Sequence, residues 1–346
     1  MTAHQPATDG RRGLSFRISI PRLGRRVAPF SLLTLLALSP IDVSATTWDE
    51  PWMDEVIAGS ASFVRVTVTA QRANEVEVKV TRHLAGTTTP SDIKLVGYSL
   101  LSMGGASLPE TSFPFHAGSD YYLFLEKADE GAGYRIATPT TGWAAVTGDG
   151  VFATYRHSYH KALVPEDVYE LTMTAIFNRI HGMRKDETPA RRFVSTELSQ
   201  RPAVLTETAE VKEQAQFFRQ HAALETFRYL GSEQELDLID PFLETDDFHV
   251  QVSAVRALAG VRSKAASRKL MGFIEAERHG FAKVMAVWGL REQGAKDMLP
   301  RLRQFVSRGK DEETGFGGNL MDPRIGTRFP PSVKEAVEEL VKSWGG

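Results

Sequence analysis

The sequence predicts an α+β chain of two domains, a small antiparallel β-barrel followed by a short α-solenoid. Two observations carry that prediction. Apolar and polar residues alternate in short runs between about residues 56 and 159, the period of half-buried strands. Between residues 248 and 306 a helix-pair pattern then occurs twice at an offset of 32 residues. A third observation places the barrel near the start of a processed chain, because residues 1–45 have the build of a secretory signal.

In that signal, Arg11, Arg12, Arg17, Arg22, Arg25 and Arg26 form a basic region, and Leu32, Leu33, Leu35, Leu36 and Leu38 dominate an apolar run closed by Pro40. Ser44 and Ala45 supply the small residues of a cleavage site, so the mature chain is expected to begin at Thr46. The run is far short of the ~20 residues that span a bilayer. The expectation is an exported, periplasmic or secreted protein. Removing the segment leaves 35 basic and 41 acidic residues, a mildly acidic chain. That balance argues against nucleic acid as main partner, since phosphate binding needs a concentrated basic face. The chain has no cysteine, which excludes disulfides, thiolate metal sites and a cysteine nucleophile.

The barrel domain is expected over 46–165. Residues 63–69 and 76–81 alternate cleanly and read as a hairpin joined through 70–74. Further strands are expected at 93–96, 120–125, 134–137, 143–146 and 151–155, separated by Gly, Pro and Ser-rich connections. The succession of 54–59, a hairpin ending in His83, Leu84, Ala85 and Gly86, and the run from Phe115 through Gly118, Tyr121 and Tyr122 to Leu125 resembles the OB-type barrel of netrin-like modules. That family includes the tissue inhibitors of metalloproteinases. The resemblance implies an OB-like barrel and, as a runner-up function, modulation of an extracellular protease. Those inhibitors place an N-terminal cysteine on the target's zinc, and a chain beginning at Thr46 without cysteine does not match, so that activity is not carried over. Trp48 and Trp52 follow the expected cleavage point and are expected to pack on the barrel.

A helix is expected from Pro165 to about His181, with Val168, Leu171, Ile176 and Ile180 on one side and Gly182 at its end. Residues 183–202 show no clear period and are expected as linker within 166–205. The helical domain is expected over 206–346. Val252, Ala254, Val255 and Leu258 line up with Val284, Ala286, Val287 and Leu290, and Leu270, Phe273 and Ile274 with Leu302, Phe305 and Val306. Phe227 and Leu230 sit in a degenerate first unit at an offset of 28, and Ser332 caps a terminal helix through Ala336, Val337 and Leu340. One helix pair cannot cover its own apolar stripe, so such units must stack. They resemble HEAT-type repeats, with Leu258, Ala286 and Leu290 where that family's core lies.

No compact catalytic motif is present: no Gly-x-Ser-x-Gly elbow, no His-Glu-x-x-His helix and no phosphate loop after a strand. His157 and His160 are three apart but fall in a strand end or loop, and are expected as surface or packing residues, with no metal and no cofactor. Residues 309–331 form a long Gly and Pro-rich connection whose Phe316, Arg324 and Arg328 are residue types enriched at interfaces. Arg268, Glu275, Arg301 and Gln304 on the second helices are expected to line the array's inner face. The resulting expectation is a non-enzymatic binding or scaffold protein that engages a protein or peptide through these residues. A hydrolase with a dispersed site is the remaining alternative.

Overall fold

The computed structural model describes residues 48–72, 75–100, 113–128, 133–158, 160–206, 209–308, 311–314, 325–326 and 330–345. The expected signal segment and most of the 309–331 connection lie outside the described residues.

The described chain opens with β1 (Trp48–Asp49) and the short helix α1 (Met53–Gly59). Trp48 and Met53 are buried, and the Trp48 indole donates to Glu50. The hairpin follows as β2 (Ser62–Arg72) and β3 (Glu75–Gly86), longer at both ends than the alternation indicates. β4 (Asp92–Tyr98), β5 (Asp120–Lys127) and β6 (Tyr134–Ile136) complete a ring in the order β2-β3-β4-β6-β5, with β5 returning to β2. The barrel is therefore closed and five-stranded. Its expected antiparallel character is corrected at one joint, where β4 and β6 run parallel. Directions cannot alternate all the way round an odd number of strands, so one neighbouring pair must agree.

β7 (Trp143–Thr147), β8 (Gly150–Thr154) and β9 (Lys161–Val164) extend the sheet outward from β5. β1 pairs in parallel with β10 (Ile325–Gly326). Side chains on the barrel wall divide by parity, as a pleated strand requires. Val64, Val66, Val68, Tyr121, Leu123 and Leu125 fill the barrel with Phe113 and Phe115. Phe63, Tyr122 and Phe124 point the other way, into a larger cluster shared with the helices.

α2 (Glu166–Ile180) starts after Pro165 and ends before Gly182, whose φ of 65° lies in the left-handed region that favours glycine. The stretch expected as aperiodic linker instead holds α3 (Thr188–Leu198), which buries Ala190, Phe193, Val194 and Leu198. Then come α4 (Val211–Leu230), a 3₁₀ turn (Glu233–Leu238), α5 (Asp240–Leu243), α6 (Phe248–Gly260), α7 (Lys264–Glu275) and α8 (Gly280–Gln293). α8 runs through Gln293, and the turn after it is made by Gly294 at φ 64°. A second 3₁₀ turn (Lys296–Met298), α9 (Leu299–Ser307) and α10 (Val333–Gly345) close the chain, with Ser332 and Glu335 capping α10 reciprocally.

α4, α6, α8 and α10 pack in succession as one row, and the first 3₁₀ turn, α7 and α9 lie as a second row beside them. The first row is close: a Cβ on Gly260 would sit 1.8 Å from the Arg228 carbonyl oxygen of α4, and one on Gly289 would sit 2.9 Å from the Ala259 Cβ. Ala254 of α6 and Ala286 of α8 are fully buried. α4 also lies against α2, α3 and β9. The described residues of the loop between β8 and β9, 155–158 and 160, are consequently held between barrel and helices.

Candidate functional site

That loop delivers three polar side chains into the helical half. Arg156, His157 and His160 are all buried. Burial of a guanidinium requires that nearly every N–H find a partner, and α6 supplies several. Arg156 Nη1 donates to the His249 carbonyl at 3.2 Å and to Ser253 Oγ at 3.0 Å, while Nη2 lies 3.2 Å from His249 Nδ1. The His160 ring lies between His221 of α4, at 4.1 Å between centroids, and His249 of α6, at 4.9 Å. His157 meets the edge of Trp52 at 5.2 Å, and Trp52 in turn carries the Arg256 guanidinium over its face at 4.8 Å.

Ser253 joins the network. Its hydroxyl proton goes to Glu225 at 2.9 Å, since a carboxylate only accepts. Its oxygen then accepts from Arg156 and from His221 Nδ1 at 3.0 Å. This network assigns His221 as the Nδ1–H tautomer. His221 Nε2 and His160 Nδ1 are buried with no hydrogen-bond partner among the described residues. Glu225, fully buried, also accepts from Arg256 Nε at 2.9 Å and lies 3.9 Å from Arg156.

The electrostatics follow from this packing. Burial holds the His160 and His221 imidazoles far below their ordinary range, with the nearby Arg156 charge acting in the same direction. Burial likewise lowers His249, and it brings His157 down to about 4 against a backbone hydrogen bond that favours its protonated form. Lys161, donating to Thr154 and to the Thr140 carbonyl, is brought down to about 8 by burial, opposed by Glu50. All four imidazoles are therefore neutral at pH 7.

Beside the network is a crevice of about 10 Å³, space for one water, lined by Phe217, His221, Phe242, His249, Val250 and Ser253. His249 is exposed at its mouth. The arrangement is poorly suited to hydrolysis: Ser253 is fully buried on a helix, and Glu225 binds its hydroxyl directly instead of orienting the histidine. Nor does it suit a cation, because two guanidiniums lie within it. Among the described residues no group of three or more His, Cys, Asp or Glu side chains is arranged to hold a metal ion.

His157 and His160, expected at the surface or in ordinary packing, are packed residues in this network. Sequence reasoning missed its other members, His221, Glu225, His249, Ser253 and Arg256. One signal was available: His221 and His249 are separated by the same 28 residues as Phe227 and Val255 of the repeat. Of the expected partner-binding residues, Arg268 and Glu275 lie on α7 and Arg301 and Gln304 on α9. Arg301 forms a two-pronged ion pair with Glu275, its Nε at 3.2 Å, which ties the two helices together. Arg268 and Gln304 are exposed. Phe316, Arg324 and Arg328 lie outside the described residues. No helix among the described residues is long and apolar enough to cross a membrane. No protein-family model, no curated protein and no solved structure matches the chain.

Proposed function

We propose that the protein is an exported, non-enzymatic binding protein that takes a protein or peptide partner on its helical half. The observation that carries the reading is the pair of adjacent rows, in which α7 and α9 are bridged by Arg301 and Glu275 and leave Arg268 and Gln304 to solvent. Successive helix pairs that each bury one stripe against a neighbour leave an extended polar face, the usual recognition surface of stacked repeats. The two rows support the HEAT-like reading of the repeats, and the five-stranded ring supports the OB-like reading of the barrel. The buried, carboxylate-bound Ser253 favours binding over hydrolysis.

The test is chemical crosslinking of the full chain in native extract, compared with R268E/Q304E. Both side chains are exposed, so the variant keeps its melting temperature, and changes at such sites usually stay within ~0.5 kcal/mol. Specific crosslinked species should disappear from the variant. Identical crosslinking of the two chains rejects this face as the binding surface. N-terminal sequencing of the protein from its host checks export, with Thr46 as the expected first residue.

A further inference from the structure

The contacts between loop 155–160 and the first two long helices have an unusual chemistry. They depend on rings and guanidiniums more than on aliphatic packing. His160 sits against two other imidazoles, and Arg156 reaches across to α6 through the His249 carbonyl, the His249 ring and Ser253. The ring-on-ring contacts and the bond from Arg156 to His249 Nδ1 need the imidazoles uncharged, whereas the bonds to the His249 carbonyl and to Ser253 do not depend on them. A protonated His249 has no lone pair for Arg156, and a protonated His160 puts a cation between two rings in the field of the Arg156 charge.

We propose that this seam is an acid-released latch: protonation of His160, His221 and His249, next to Arg156 and Arg256, frees the β8–β9 loop from α4 and α6. The charges facing the cluster show why it has no reserve. From the barrel side come Glu50, Tyr155, Arg156, His157 and Lys161. α4 contributes Glu225, α6 contributes Asp247 and Arg256, and His279 stands before α8. With the imidazoles neutral, Arg156, Arg256 and Lys161 are matched by Glu50, Glu225 and Asp247. All three carboxylates are already engaged: Glu225 by Ser253 and Arg256, Glu50 by Trp48, Thr138 and Thr140, and Asp247 by the amide of Val250. Asp247 favours a proton on His249, but the Arg156 charge opposes one on each of the three rings.

The direction follows from linkage. In the released state the imidazoles meet water and titrate near 6.5, whereas burial lowers them in the closed seam. The closed state is fully favoured above about pH 6.5 and loses ground as pH falls below it. The opening equilibrium grows about tenfold per pH unit for every extra proton the released state binds. The barrel interior, made of valine, leucine and aromatic side chains, has no such dependence.

Hydrogen–deuterium exchange of the full chain, resolved by peptide and corrected for intrinsic rate, tests this between about pH 7.5 and pH 4.5. The expected result is constant protection above about pH 6.5 and, below it, a loss of about tenfold or more per pH unit in peptides covering 155–164 and the first turns of α6. Peptides from β2 and β5 should hold their protection over the same range. In H160Q/H221Q/H249Q the dependence should flatten. If that variant does not fold, H249Q alone, altered at the exposed mouth, should show a shallower slope. The latch is rejected if loop and barrel lose protection together, if the loop does not respond, or if H249Q and the folded triple variant keep the full slope.

Discussion

Glu225 holds Arg256 at 2.9 Å, receives the Ser253 hydroxyl and lies 3.9 Å from Arg156, all without solvent. A buried charge pair is a poor source of net stability compared with apolar packing, yet breaking one from a single side is costly because the other charge stays buried. Glu225→Ala strands two guanidiniums and should cost roughly 3–5 kcal/mol. Ser253→Ala leaves the Glu225–Arg256 pair intact and removes one hydroxyl, so a smaller loss of roughly 1–3 kcal/mol is expected. Denaturant unfolding of the two variants checks the order; equal effects would mean that the carboxylate does not anchor the network. Little of this was legible beforehand. Burial of polar residues is decided by which segments meet, and the meeting partners here are 93 and 97 residues apart for Arg156 alone. His157 and His160 drew notice through their spacing, but their neighbours came from Trp52 before α1 and from helices α4 and α6, beyond the reach of any local pattern.

Elements tell a different story, since a helix stripe is a local property. The stripe through Val252, Val255 and Leu258 and its copy through Val284, Val287 and Leu290 are buried throughout, as the 32-residue offset indicates. The strand periods from β2 to β8 were equally visible. α3 was not, because Pro189 and four charged residues around it hide a stripe of Ala190, Phe193, Val194 and Leu198 at intervals of three, one and four. β9, Lys161–Val164, was missed as well. The contact that sets the spacing of the first row is at Gly260, where any Cβ would collide with the carbonyl of Arg228. Gly260→Ala gains up to about 1 kcal/mol of helix propensity. The collision is with backbone, which cannot swing aside, so α4 and α6 must separate and a net loss of about 1–3 kcal/mol is expected. A variant as stable as the parent in thermal unfolding would show that these helices tolerate a wider spacing.

At the scale of the molecule, the largest apolar cluster does not respect the division between barrel and helices. It runs from Met53, Phe63, Tyr122 and Phe124 through α2 and α3 to Phe217, Phe227, Leu258, Val287 and Leu340. α4 is the hinge of that continuity, burying residues against β9, α2 and α3 on one side and against α6 on the other. A fragment of residues 206–346 would keep the α6 contacts and leave the opposite side of α4 bare, together with Glu225 and His221 deprived of Arg156 and His160. End repeats of helical arrays hold their fold only when their outer face is capped, and here the barrel and α2–α3 provide the cap. Expressed alone, 206–346 is expected to retain helical circular dichroism while losing a sharp thermal transition and binding an apolar dye. Co-expressed with residues 46–205, it should co-purify as a folded pair, because the missing surface is restored. A lone fragment that unfolds as sharply, and at the same temperature, as the full chain would show that the helices carry a sufficient core of their own, leaving the seam at the β8–β9 loop as a contact between finished domains.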